Sequence, residues 1–320
     1  MKSPNLEMFK KKKLIANIIP VHSDVVSGIH KHFSDGNYFI TVSTDGSLAE
    51  INSETLEIKK IENIVDRSIT ASTSGNFDNK NALFLGTALG KIYQVDSDYS
   101  CTIVPTNIDL QINSICDFGD GTIVIAYGDD EHGSIIQYFS LNDNQVINEI
   151  KLAPGRKIKM MHKIQGVKDK CIVSCSATNI YWLKVVDGVL KLLMDQPSPD
   201  DYFYDEVWSD GKSIMKAGQS CFLRSDAPEV VKHIISNSEI STQGKVSSLA
   251  VCNGAVVRGS QEELLITNRD GNTLNRIPLP KGKFPMKVKM EPFGRILIGF
   301  QTGEISRFEF RNQSIRFIMS

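Results

Sequence analysis

No uninterrupted apolar run in the 320 residues approaches the ~18–20 that a membrane-spanning helix needs. The apolar patch at residues 14–19 is broken by Asn17 and is shorter than the ~7–15-residue core of a secretory signal. Neither sign of charge is in excess. Against 37 Asp and Glu stand 36 Lys and Arg, a net charge of −1, which excludes a nucleic-acid binder held by overall basicity. Cysteine is sparse: Cys101, Cys116, Cys171, Cys175, Cys221 and Cys252. Most of them sit inside apolar, strand-like runs, as small hydrophobes of a reducing compartment do, so an intracellular address, cytoplasm or nucleus, is expected. No GxSxG elbow, Walker loop or GxGxxG-plus-acid arrangement occurs, and no long helical periodicity is visible. What is present is a 41% hydrophobic content, enough to build a core, punctuated by 23 glycines and 11 prolines.

One pattern recurs along the whole chain: an apolar run, a short turn, then a second strand-like segment. Its turns fall at Gly46, Gly90, Gly133, Thr178, Gly218, Gln261 and Gly303, spaced 40 to 45 residues apart. That spacing matches the ~40–45 residues of a four-stranded propeller blade. Five residues after each turn stands an apolar side chain: Ile51, Val95, Tyr138, Leu183, Leu223, Ile266 and Phe308. Two residues after it the rule fails at Ser220 and Glu263, which places repeats five and six one residue out of register, enough to swap strand faces. Dense apolar runs before the turns read as central strands covered on both faces. Segments 25–33, 112–118, 157–164 and 246–252 read as inner strands, and 101–104, 145–152, 189–194 and 229–235 as outer ones. The seventh repeat reaches the C-terminus with about three strands. Residues 13–19 form a spare N-terminal strand that would complete it and remove an open edge.

The repeat resembles the WD-repeat β-propeller family over all 320 residues, in STDGSLAEIN at 43–52 and in GTALGKIYQVD at 86–96. It departs from that family in having no Gly-His and no Trp-Asp dipeptide; Ile51-Asn52 and Val95-Asp96 stand at the latter position. The family's internal His–Asp hydrogen-bond network is therefore not carried over. The expected fold is all-β: one seven-bladed propeller of four-stranded antiparallel blades spanning 1–320, with residues 1–12 as a basic tail. Lys10–Lys13 reads either as a nuclear-localisation patch or as a solvated chain end.

Candidate chemistry is thin. Cys171 and Cys175 on one strand stand ~13 Å apart, too far for one zinc ion or one disulfide. His30 and His32 share a strand face near His22 and Asp24, but zinc needs three or four convergent ligands, so no metal or cofactor is expected. Asp129, Asp130, Glu131 and His132 read as a solvated hairpin turn. The absence of any adjacent Arg pair argues against a phosphoinositide-binding propeller.

Rim loops carry more. By the resemblance, 195–206 (DQPSPDDYFYDE) joins blades four and five at the top rim. Its acids and aromatics, Asp200, Asp201, Tyr202 and Tyr204, would anchor a protein partner; alternatively Tyr202, Phe203 and Tyr204 open the next inner strand and are partly buried. Basic connections at 154–159 (Arg156, Lys157, Lys159) and 280–283 (Lys281, Lys283) share that rim and would orient a charged peptide. The expected function is a non-catalytic scaffold, a subunit of an intracellular complex binding protein through its rim, with no catalytic residues, no small-molecule ligand and no nucleic-acid partner. The alternative is a propeller enzyme, a hydrolase or lyase, with its site at the central channel.

Overall fold

The computed structural model describes residues 14–65, 68–77, 80–164, 170–175, 179–197, 206–209, 214–217, 224–225, 246–252, 254–268, 272–291 and 295–310. Within them the chain is all-β. It opens with β1 (Leu14–Pro20) and continues through β2 (Val26–Lys31), β3 (Tyr38–Ser43), β4 (Ser47–Asn52) and β5 (Ile58–Asn63). Next come β6 (Ile69–Phe77), β7 (Lys80–Thr87), β8 (Ile92–Val95) and β9 (Cys101–Val104), then β10 (Ile112–Gly119), β11 (Thr122–Asp129), β12 (Gly133–Ser140) and β13 (Gln145–Lys151). β14 (Ile158–Lys163), β15 (Lys170–Cys175), β16 (Asn179–Val186) and β17 (Val189–Pro197) follow, and then the short β18 (Glu206–Ser209), β19 (Ile214–Ala217) and β20 (Arg224–Ser225). The last group is β21 (Val246–Cys252), β22 (Ala255–Ser260), β23 (Glu263–Asn268), β24 (Thr273–Pro278), β25 (Pro285–Met290), β26 (Arg295–Phe300) and β27 (Glu304–Phe310).

Consecutive strands pair antiparallel into six four-stranded sheets, and β18–β20 form a three-stranded one. This is a propeller-like arrangement. The last four-stranded sheet takes its outer strand from the other end of the chain: its order is β1-β27-β26-β25, with Ala16 opposite Phe308 and Ile19 opposite Ile305.

Position within a sheet explains composition. Second strands such as β3 and β11 are buried along nearly their whole length, because neighbouring sheets cover both faces. Outer strands such as β5 and β13 alternate or lie exposed. The core lies between sheets: Phe118, Val124 and Ile136 of β10–β12 pack with Met161, Cys171 and Leu183 of β14–β16. Val26 and Phe39 of the first sheet pack with Leu297 and Ile305 of the last.

First strands share a device. In six sheets the register slips near the start of the first strand, leaving Ser27, Thr70, Asn113, Lys159, Ser247 and Met286 as bulged residues. Several carry a short polar side chain that satisfies a carbonyl. Thr70 Oγ1 donates to Ile112 O (2.6 Å), Asn113 Nδ2 to Gly128 O (2.8 Å), and Ser247 Oγ to Pro285 O. The bonds of Thr70 and Ser247 reach the first strand of the next sheet. Ser114 and Ser248 accept from Met161 N and Val288 N, both at 2.9 Å, and stitch further neighbouring pairs.

The register expectations divide. Pairing of Gly259 with Leu264 makes Leu264, not Glu263, the counterpart of Leu48 opposite Val42, so repeat six is one residue off as read from the sequence. Repeat three is off by one as well. Ile136 opposite Ala126 is the true counterpart, and the slip was hidden because Ile135 beside it is also apolar. The repeat-five positions Gly218 and Ser220, and segment 229–235, lie outside the described residues.

Candidate functional site

The first strands β2, β6, β10, β14, β21 and β25 line one shared cavity of about 690 Å3. Its charged wall is uneven. Lys159 and Lys163 of β14 and Lys287 of β25 line it, and Asp117 is the one carboxylate among the described lining residues. Asp117 pairs with Lys163 at 3.2 Å. Lys289, two residues beyond Lys287 and so on the same strand face, has its ammonium pKa pushed down to about 8 by burial, with Lys31 adding to the effect and Glu291 opposing it. His30 faces Ser72 across the neighbouring first strand, Nε2 to Oγ 2.8 Å. Burial first, then Lys289 and Lys287, lowers its pKa to about 3. Burial likewise brings His162 down to about 4. At neutral pH both imidazoles are uncharged, and among the described lining residues the positive charge belongs to lysines.

In the sequence, His22, Asp24, His30 and His32 are the nearest approach to a metal cluster. The structure sends the three histidines to different partners. Among the described residues no group of three or more His, Cys, Asp or Glu converges as metal ligands. His32 meets the buried Glu50 at 3.3 Å, and that carboxylate also takes Lys59 (2.6 Å) and the Tyr99 hydroxyl (3.1 Å). His22 lies in a relay. Its Nε2 meets Thr41 Oγ1 (2.8 Å), its Nδ1 meets Ser47 Oγ (2.7 Å), and Ser47 Oγ donates to Asp45 Oδ1 (2.6 Å). Because the Ser47 proton goes to Asp45, His22 Nδ1 donates and Nε2 accepts from Thr41, which is the neutral tautomer. Burial lowers the His22 pKa to about 4, only partly offset by Asp45. Burial opposes ionisation of Asp45, but hydrogen bonds from Ser47 and Ser23 hold its carboxyl well below the usual range. A His–Asp network is thus present in the first sheet, where sequence analysis carried none over. It escaped notice because His22 follows Val21 rather than a glycine, and its partners lie 19 and 25 residues away.

Cys171 and Cys175 are both fully buried in β15. Cys171 faces Cys116 of the preceding sheet; burial, then that neighbour, pushes its thiol pKa well up, which leaves it unreactive. The acidic turn is an exposed Asx turn: Asp129 Oδ1 accepts from His132 N at 2.7 Å, and the same carboxylate raises the His132 pKa.

Of the rim residues singled out, Asp200, Asp201, Tyr202 and Tyr204 lie outside the described residues, as do Lys10–Lys13. Arg156 and Lys157 are half-buried in a turn docked on the acidic hairpin through Gly155 N to Asp130 O (2.8 Å). Lys159, which also falls in the inner-strand segment 157–164, belongs to β14 and lines the cavity rather than the connection. Lys281 is exposed, and Lys283 is paired with Glu304. The two basic connections precede β14 and β25, the first strands of two different sheets. The cavity lysines Lys163 and Lys287 carried no functional reading in the sequence.

Two exposed aliphatic pairs stand out on adjacent outer strands: Val146 and Ile147 of β13, Val189 and Leu192 of β17. The strands are tied by Asn148, whose side chain takes both Leu190 N (2.9 Å) and Leu190 O (3.0 Å). No helix among the described residues is long and apolar enough to cross a membrane. No family model matches the chain, and no curated protein matches it.

Proposed function

We propose that the seven sheets close into a single seven-bladed β-propeller of the WD-like kind, acting as a non-catalytic interaction platform within an intracellular multiprotein complex. Three features support closure. The first strands share one cavity, β1 pairs with β27, and Gly299 of the last sheet leaves room for Val26 of the first, where an added Cβ would approach Val26 Cγ1 to 2.3 Å. Arg295 and Arg307 add polar ties across the same seam, to Ser53 Oγ (3.1 Å) and Ser53 O (3.2 Å).

The interaction reading is carried by the exposed aliphatic side chains of β13 and β17, Val146, Ile147, Val189 and Leu192. Exposed apolar side chains on a rigid frame favour a protein partner, because little order is lost on binding. Along the chain β13 leads directly to Arg156 and Lys157, and β17 leads to Asp200, Asp201, Tyr202 and Tyr204.

The test is a quantitative pull-down from native lysate with three chains: intact, Val146→Glu/Leu192→Glu, and Asp201→Ala/Tyr202→Ala/Tyr204→Ala. Recovery of a stoichiometric partner that the flank variant loses is the expected result. If the intact chain recovers nothing, or both variants retain the partner, the platform or its surface is wrong. Both flank residues are more than a third exposed, so the variant should fold.

A further inference from the structure

An outer strand presents unpaired backbone groups along its free edge, and proteins guard such edges with charge, bulges or shortness. The outer strands of this chain divide on that criterion. β5 carries Lys59, Lys60 and Glu62 and is bulged at Lys59. β13 carries Glu149 and Lys151 and is bulged at Ile147. β17 carries Lys191 and Asp195 and is bulged at Leu193, and β24 carries Arg276 and is bulged at Leu274. β9 is only four residues long. Each bulge interrupts the regular ladder that a docking strand would need.

β1 has none of these guards. Its sequence, LIANIIP, holds no charged residue, and all seven positions pair with β27 in one unbroken register. Among the described residues β27 is its only strand neighbour, so its opposite edge is open. Alternate residues of such a strand turn N–H and C=O away from their partner, and Ile18 is 37% exposed. The one proline, Pro20, stands at the last position and removes a single donor.

We propose that β1 pairs antiparallel with β1 of a second copy of this chain, joining two four-stranded sheets into one. Centred on Asn17, the pairing sets Ala16 against Ile18 and Ile15 against Ile19, so it buries no charge and opposes no like charges. The net charge of −1 leaves little repulsion between whole molecules. A single two-fold axis uses up both open edges, so the assembly stops at a dimer. The antiparallel sense also carries the basic runs Lys10–Lys13, which precede β1 in the sequence, to opposite ends of the contact, where a parallel one would set them side by side. This contact is separate from the β13 and β17 side chains above, and either can fail without the other.

The test is the mass of the full chain by sedimentation equilibrium over a dilution series, with hydrogen exchange of the 14–20 amides read at both ends of it. One chain's mass rising to two is expected, with added protection at 14–20 only in the concentrated sample. Ile18→Lys places a charge on each side of the dyad and should weaken association at least roughly tenfold. Ile103→Lys, at the more exposed isoleucine of β9, should leave it unaltered. Melting of the dilute variants checks folding; if Ile18→Lys melts lower, the exchange comparison in the unaltered chain decides. A single chain's mass up to the solubility limit overturns the proposal. So does a dimer without protection at 14–20, or one that a folded Ile18→Lys leaves unchanged. Association of a chain ending at Phe310 where the full chain stays single would assign the edge to residues 311–320. Protection at 14–20 that needs a protein recovered from lysate would assign it to that protein, and either result overturns pairing with a second copy.

Discussion

Single residues here show burial outweighing intrinsic ionisation. His22 is folded as the neutral tautomer between Thr41 and Ser47, with a pKa lowered from 6.5 to about 4. The unfolded chain takes up a proton near pH 6.5, whereas the native state resists it until about pH 4. Stability is therefore complete above pH 6.5 and is lost as pH falls toward 4, by up to about 3 kcal/mol for this one group. His30 and His162 act in the same direction. Urea midpoints measured from pH 7.0 down to 4.5 should fall steadily, and less steeply in His22→Gln. An identical slope in that variant would show that His22 is not among the titrating groups. None of this was legible locally: His22 reads as one polar residue in a loop, and Thr41 and Ser47 as ordinary strand hydroxyls. The relay exists because strand pairing brings three separate segments together.

Strands were far more legible than their contacts. Segments 101–104 and 246–252 coincide with β9 and β21, because strand residues alternate or run apolar according to whether one or two faces are covered. Register was less secure. In repeat three two adjacent isoleucines satisfied the pattern in either register, and only the pairing of Ala126 with Ile136 distinguishes them. Invisible in the sequence was the use of serine at the start of inner strands, where Ser114 and Ser248 take amide protons from the neighbouring sheet. Ser114→Ala and Ser248→Ala should each cost about 1–3 kcal/mol, because a buried N–H loses its acceptor. Urea denaturation tests this, with the exposed Ser74→Ala as a neutral comparison; losses equal to that of Ser74→Ala would mean that the inter-sheet bonds contribute nothing.

For the molecule as a whole, the two chain ends depend on each other. β1 occupies the outer edge of the last sheet, Ser306 Oγ donates to Asn17 O at 2.8 Å, and His22 N donates to Gly303 O at 3.1 Å. A chain beginning at Val21 would leave β27 as a bare edge with unpaired backbone groups. It should melt several degrees lower and self-associate in size-exclusion chromatography at concentrations where the intact chain stays monodisperse. Equal melting and elution would show that the pairing of β1 with β27 is dispensable.

A period of 40 to 45 residues, the apolar runs that mark covered strands and the spare N-terminal strand are all properties of chain order, and they were enough to read an all-β repeat with an N-terminal strand in its last sheet. Charge placement is not a property of chain order. Lys159 and Lys163 lie more than a hundred residues from Lys287, and the three share a cavity only because β14 and β25 both face it. Lys159 stands both in the basic connection 154–159 and in the inner-strand segment 157–164, and pairing of β14 with β15 puts it in the strand. A bulge at the start of β14 makes Lys159 part of the inner strand, and strand pairing, which acts at long range in sequence, decides which wall a charged side chain joins.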